Sequence, residues 1–258
     1  MIIDANAWLG QWPFRQLRHN DVDGLLRLMD ANGIDKAVVS SIHGIFYKNC
    51  QRANEELAEA VSGCHDRLLS FATLNPHYPG WERNLQLCRN DLGMRGLRVF
   101  PAYHQYDLTD GPSLEMIAAA SELGWPVTIT QRVVDVRQRH PMDTERLIGV
   151  AEFEAVVAAC PQTSFIMLNA LGLEGSAMFA GNREGGRQVM TDISRMTAVM
   201  GNSMGVMVEK YGAGSLVFGT GIPFNYPRPA LLKMDVLQAD AATKEAIYHG
   251  NLERLLRL

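Results

Sequence analysis

The chain has 258 residues, 47% of them hydrophobic and 20% charged, with a net charge of −4. That is enough to bury a large core, and barrels of this length routinely form one domain. The acidic balance and the lack of any basic run exclude a surface built for a nucleic-acid backbone.

In chain order, β-rich runs occur at Ile2–Ala5, Ala37–Ser41, Leu68–Leu74, Leu97–Phe100, Pro126–Thr130, Ser164–Leu168, Gln188–Asp192 and Leu216–Gly219. Their spacing is roughly thirty residues, the length of one βα unit. Helical patterns fill the gaps. Asn20 or Asp21 caps a stripe of Leu25, Leu28 and Met29 that ends at Gly33. Leu85, Cys88 and Leu92 form a second stripe before Gly93, and Ser113 caps a helix closing at Gly124. Strict alternation predicts a parallel sheet, and eight units predict closure into an α/β fold, a single (β/α)₈ TIM barrel over residues 1–258. Gly212-Ala213-Gly214 precedes a strand instead of following one, so it is no dinucleotide turn, and no P-loop occurs; no cofactor is expected.

The four cysteines (Cys50, Cys64, Cys88, Cys160) have no paired spacing, so a secreted disulfide framework is not expected. Met1-Ile2-Ile3-Asp4 leads straight into strand-like sequence without a basic, apolar leader, and no apolar run has the length of a membrane span. A cytoplasmic protein that binds no membrane is expected.

Ile2-Ile3-Asp4-Ala5-Asn6-Ala7-Trp8-Leu9-Gly10 resembles the opening I-D-x-H-x-H-x-G of the amidohydrolase-related family. Leu74-Asn75-Pro76, Gly96-Leu97-Arg98-Val99-Phe100-Pro101 and Tyr106-Asp107-Leu108 resemble its third and fourth strand ends. Leu216 to Phe224 resembles L-F-G-S-D-x-P-F, and Gly250 to Leu256 resembles the closing G-N-A-x-x-L-L. The resemblance implies a barrel whose divalent metal is held by two histidines after strand 1, histidines on strands 5 and 6, and an aspartate after strand 8. Here those positions read Asn6, Trp8, Thr130, Asn169 and Gly221. Alternation along the strand would put Asp4, Asn6 and Trp8 on one face. An amide, an indole, a hydroxyl and a glycine do not make a zinc site. The resemblance therefore implies a branch without metal, and the related lactonases that hydrolyse an activated ester without metal are a precedent.

Arg98 alternates with Leu97 and Val99 and is expected to point into the barrel mouth, against an anion or against Asp4 or Asp192. After strand 5 runs Gln131-Arg132-Val133-Val134-Asp135-Val136-Arg137-Gln138-Arg139-His140, the densest ionisable loop in the chain. Arginine forks there match a carboxylate, and His140 could move protons near neutral pH. His104, flanked by Tyr103 and Tyr106, is a second acid/base candidate, with His43 and Asn75 also at strand ends. The expected catalytic set is His140, His104 and Asp135; the expected substrate-binding set is Asn6, Trp8, Arg98, Gln131, Arg132, Arg137 and Asn169. Gly201-Asn202-Ser203-Met204-Gly205 fits a nucleophile elbow, but no strand leads into Ser203, and a helix cap is the plainer account. The expected function is a metal-independent hydrolase acting on a small carboxylated molecule such as a lactone, or a decarboxylase or lyase using the same groups. The alternative is an inactive barrel kept as a ligand-binding or interaction protein. A homo-oligomer fits either reading.

Overall fold

The computed structural model describes residues 1–182 and 186–258. Its strands are β1 (Ile3–Leu9), β2 (Lys36–Ser41), β3 (Leu68–Ser70), β4 (Ala72–Thr73), β5 (Leu97–Val99), β6 (Val127–Thr130), β7 (Phe165–Leu168), β8 (Val189–Asp192) and β9 (Leu216–Val217). Neighbours pair in parallel in the order β1-β2-β3 and β4 through β9. β3 and β4 are two halves of one barrel strand. They part only at Phe71, whose N–H still donates to Val39 O at 2.9 Å. The two edges meet where Ala5 N–H donates to Phe218 O and Trp8 N–H to Ile222 O, each at 2.9 Å. Gly221 N–H reaches Asn6 O at the same distance. The fold is the expected TIM barrel.

Two shells of apolar side chains follow from strand alternation. Leu97, Val99, Val127, Ile129, Phe165 and Met167 face the surrounding helices. Ile3, Ala5, Val38, Leu69, Ile166 and Val217 fill the barrel interior, and Leu252 and Leu256 of the helix Asn251–Leu256 join them. The helix Val22–Asp30 is capped by Asp21, which accepts from Gly24 N–H. The helix Gly111–Glu122 is capped by Asp110, not by Ser113. Pro112 in its first turn starts the helix early, and this leaves Ser113 inside.

The expected alternation in β1 fails at one place. The β1–β2 register shifts between Asp4 and Ala7. Ile3 and Ala5 belong to the interior cluster, while Ala7 and Leu9 join the outer one. Such a bulge re-aims the chain beyond it, and it directs Asn6 and Trp8 together into the mouth. Asp4 instead clasps the seam between the first and last strands. It accepts N–H from Asn6 at 2.8 Å and from Thr220 at 3.0 Å, together with the Thr220 hydroxyl. Among the described residues, no helix is long and apolar enough to cross a membrane.

Burial pushes the Asp4 carboxyl up to about 7, against the opposing effect of its Thr220 and Asn6 donors. A folded-state pKa raised above the unfolded value gives stability that is complete below the unfolded pKa and is lost as pH rises through about 7. Chemical denaturation from pH 4 to 8 should therefore show Asp4→Asn falling less steeply than the parent over that window. Equal slopes would show that the Asp4 proton is not linked to folding.

Candidate functional site

The carboxyl ends of the strands surround one buried carboxylate. Asp192, the last residue of β8, accepts from Asn6 Nδ2 at 2.7 Å, Asn169 N–H at 2.9 Å and Ser194 Oγ at 3.0 Å. Burial raises its pKa and these donors lower it. Asn169 follows β7 in the left-handed region with φ 52°, a conformation asparagine tolerates. Its Oδ1 accepts from Asn6 Nδ2 and Ser194 Oγ, both at 2.9 Å, and its Nδ2 donates to Arg132 O at 3.0 Å. Lys233 closes the network from behind, donating to Ile193 O at 2.8 Å and Ser194 O at 2.7 Å, and burial brings it down to about 8.

The side chains at the positions where the resemblance implies metal ligands, Asn6, Trp8, Thr130, Asn169 and Gly221, include no imidazole, thiolate or carboxylate. Asn6 turns its N–H bonds toward Asp192, which is the task a cation would perform. At these positions Asn6 Oδ1, Trp8 Nε1 and Thr130 Oγ1 are buried without a partner among the described residues. One of these accepts, one donates and one does both, a set that suits a water or a substrate oxygen and not a cation. Gly221 has φ +76°, and a Cβ there would meet Asn225 Nδ2 at 2.5 Å, so an aspartate would be strained at this position. Among the described residues, no group of three or more His, Cys, Asp or Glu is placed to hold a metal.

Arg98 lies deeper than expected. It is fully buried, with Cζ 4.4 Å from the Trp8 ring centroid. It donates to Thr128 Oγ1, Ala7 O and Ala5 O, each at 3.3 Å. Burial presses its pKa down to about 9, with Asp192 and Asp4 opposing that shift. The guanidinium thus crosslinks β1 to β5 and β6, stacked against Trp8, with carbonyl and hydroxyl oxygens as its acceptors. Trp8 is itself fully buried against Phe100 at 5.5 Å and Phe224 at 5.7 Å, with Trp12 over Phe224 at 5.0 Å. An aromatic plug fills the centre of the mouth.

The ionisable groups gather on the rim. Asp135 takes Arg195 Nη1 at 2.6 Å and Arg137 Nε at 3.0 Å, with Arg132 Nη2 at 3.8 Å. These cations hold its carboxyl well below the usual range, Arg137 foremost, so Asp135 cannot take up a proton near neutrality. Three guanidiniums share one carboxylate. The Arg132 and Arg195 side chains are only 14% and 13% exposed, and the Nε of each is buried without a partner. The proximity of Arg195 contributes to lowering the Arg132 pKa, after burial. Arg137 is 85% exposed. Gln131 is buried and braces the next loop through Leu171 N–H at 2.9 Å.

His140 is exposed and stacks on Phe14 at 5.3 Å. Its Nδ1 faces Met142 N–H at 3.1 Å, which leaves Nε2 as the protonated nitrogen of the neutral ring. His104 sits behind the plug, with Nε2 3.0 Å from Gly44 O. Burial lowers its pKa, and its Nδ1 has no partner. His43 is a clip: Nε2 accepts Gln11 N–H at 3.0 Å and Nδ1 meets Glu56 at 3.1 Å. Asn75 shapes its own turn by accepting His77 N–H. Ser203 opens the helix Ser203–Tyr211, ten residues beyond β8, and its Oγ accepts Thr197 N–H at 2.8 Å. That is a helix start, not a nucleophile elbow.

Three residues of the site escaped sequence reasoning. Arg195 and Ser194 follow a strand end, as the other rim residues do, but nothing in the local sequence marks them. Glu145 is buried under Val133 N–H, and burial pushes it up to about 7. Its signal was only its place at the far end of the ionisable loop.

The family model described as Amidohydrolase matches residues 9–258. A search of curated proteins finds no match. Among solved structures, one described as an amidohydrolase from Staphylococcus aureus superposes with TM-score 0.76 at 16% identity, covering 100% of this chain and 99% of that one. A 2,6-dihydroxybenzoate decarboxylase from Rhizobium gives 0.73 at 18% identity, covering 99% and 98%. A structure described as a 2-pyrone-4,6-dicarboxylic acid hydrolase from Acinetobacter baumannii, with citric acid bound, gives 0.69 at 12% identity over 100% and 99%. Likeness at these identities speaks for the shared fold, while the family match runs over almost the full length: the chain belongs to the amidohydrolase family.

Proposed function

We propose that this barrel is a metal-independent hydrolase acting on a small carboxylated molecule, a lactone or other activated ester. The observation that carries this reading is the rim cluster, where three guanidiniums share Asp135 and two keep a buried Nε without a partner. A buried guanidinium cannot shed its proton, so surplus donors of this kind favour an anionic ligand. Arg132 and Arg195 would take the substrate carboxylate bidentately, with Arg137 reaching in from solvent. Asp135 would act as a positioning residue that sets the three arginines. Asn6 Oδ1, Thr130 Oγ1 and Trp8 Nε1 would orient a water or the substrate carbonyl, and His140 or His104 would serve as the acid/base, taking a proton from the attacking water and returning it to the departing alkoxide. A decarboxylase or lyase would use the same anion site. That the named structural neighbours act on carboxylated aromatics supports the substrate class. The buried Trp8 plug favours a second reading, an inactive barrel that binds an anion at its rim without turning it over.

Protein purified without chelator should contain well under one zinc, manganese or iron per chain. A full equivalent bound among Asn6, Asn169 and Asp192 would contradict the reading.

Arg132→Met and Arg195→Met should each weaken binding of a small carboxylate by about 2–4 kcal/mol, with melting temperature little changed. Arg98→Met should do the reverse, lowering the melting temperature while leaving affinity intact. The opposite pattern would return the anion to Arg98. Binding that survives in a protein with no activity on any lactone or aromatic acid would select the inactive barrel.

A further inference from the structure

A wide cleft lies at the end of the barrel away from the mouth. It has a volume of about 940 Å³ and is lined by Trp125, Ser164, Arg187, Arg254 and Arg257 among others. A smaller cleft of about 280 Å³ shares Trp125 and Arg257 with it and adds Arg89 and Arg95. Trp125 and Pro126 stand just before β6, Ser164 just before β7 and Gln188 just before β8. The two clefts therefore form one groove under the amino ends of the strands, beside the terminal helix. In TIM barrels this face ordinarily serves stability alone.

The charge in this groove is one-sided. Among the described residues, no aspartate or glutamate lines either cleft. Five arginines do, in a chain whose net charge is −4. Among the described residues none of the five forms an ion pair, whereas Arg52, Arg67, Arg132, Arg137, Arg146 and Arg195 all do. Among the described residues, Arg187 donates to Val157 O at 3.4 Å and Arg254 to the neutral Asn251 Oδ1. Trp125 is 2% exposed, and its Nε1 is buried without a partner. An indole N–H left in that state is a donor awaiting an acceptor.

We propose that this groove binds a compact polyanion built on a chain of phosphates, at a site separate from the rim of the mouth. Guanidinium forks match phosphate oxygens bidentately, and arginines spread over two joined clefts call for several linked anionic centres, not one. The concavity and volume are those of a small-ligand site, which sets it apart from a flat macromolecular interface. Binding there would bridge the terminal helix to the strands whose other ends carry the rim arginines.

The test is calorimetric titration with sodium tripolyphosphate, and separately with citrate, at about 0.15 M salt so that diffuse attraction is screened. Tripolyphosphate should bind once per chain. Affinity should fall by roughly tenfold or more in the Arg95→Glu/Arg257→Glu double variant and stay unchanged in Arg195→Met. Both exchanged arginines are exposed and make no side-chain hydrogen bond to another described residue, so the double variant should fold. If it does not, Arg89→Glu is read in the same way. No binding, binding that survives these exchanges, or binding lost in Arg195→Met would each overturn the proposal. Citrate binding as tightly as tripolyphosphate would overturn the assignment to a phosphate chain.

Discussion

Asp192 is a carboxylate with no exposure at the centre of a barrel, and a buried charge persists only where donors replace its water. Here the donors are a side-chain amide, a backbone amide and a hydroxyl. That requirement fixes much else. Asn6 must turn its Nδ2 inward, and the β1 bulge allows it to do so. Asn169 must take the left-handed conformation that offers its own N–H to Asp192 while its Oδ1 receives Asn6 and Ser194. Lys233, reaching the carbonyls of residues 193 and 194, sets the start of the loop that carries Arg195.

From that anchor the charges are arranged in layers. Arg98 lies beneath Trp8 and balances Asp4 and Asp192 without touching either, held by carbonyl oxygens and an aromatic face. Above it the rings of Phe100 and Phe224 pack on Trp8. Outside the plug, Arg132, Arg137 and Arg195 outnumber Asp135 and make the rim electropositive within an acidic protein. At the centre, amides and a hydroxyl satisfy the Asp192 carboxylate, while guanidiniums stand outward at the rim.

Most of the scaffold was legible in the sequence because strand and helix periods are local. Seven of the eight β-rich runs coincide with strands to within two residues, and Asp21 caps its helix as read. The family was also legible, since its short motifs sit at strand ends. What escaped depended on distant parts of the chain. The bulge in β1 comes from pairing with β2, so simple alternation wrongly put Asp4 on the face of Asn6. The depth of Arg98 depends on where the carbonyls of Ala7 and Ala5 in β1 stand, 91 and 93 residues earlier in the chain. Arg195 joins Asp135 from sixty positions further along, and only folding brings them within 2.6 Å.

The most direct test of this account is a crystal structure of the protein soaked with a small aromatic carboxylate. The account predicts carboxylate oxygens within hydrogen-bond distance of Arg132 and Arg195. It also predicts that Asn6 Nδ2 remains on Asp192, with no metal density between them. Density for a metal coordinated by Asp192, or a carboxylate seated against Arg98 with the Trp8 ring displaced, would contradict it.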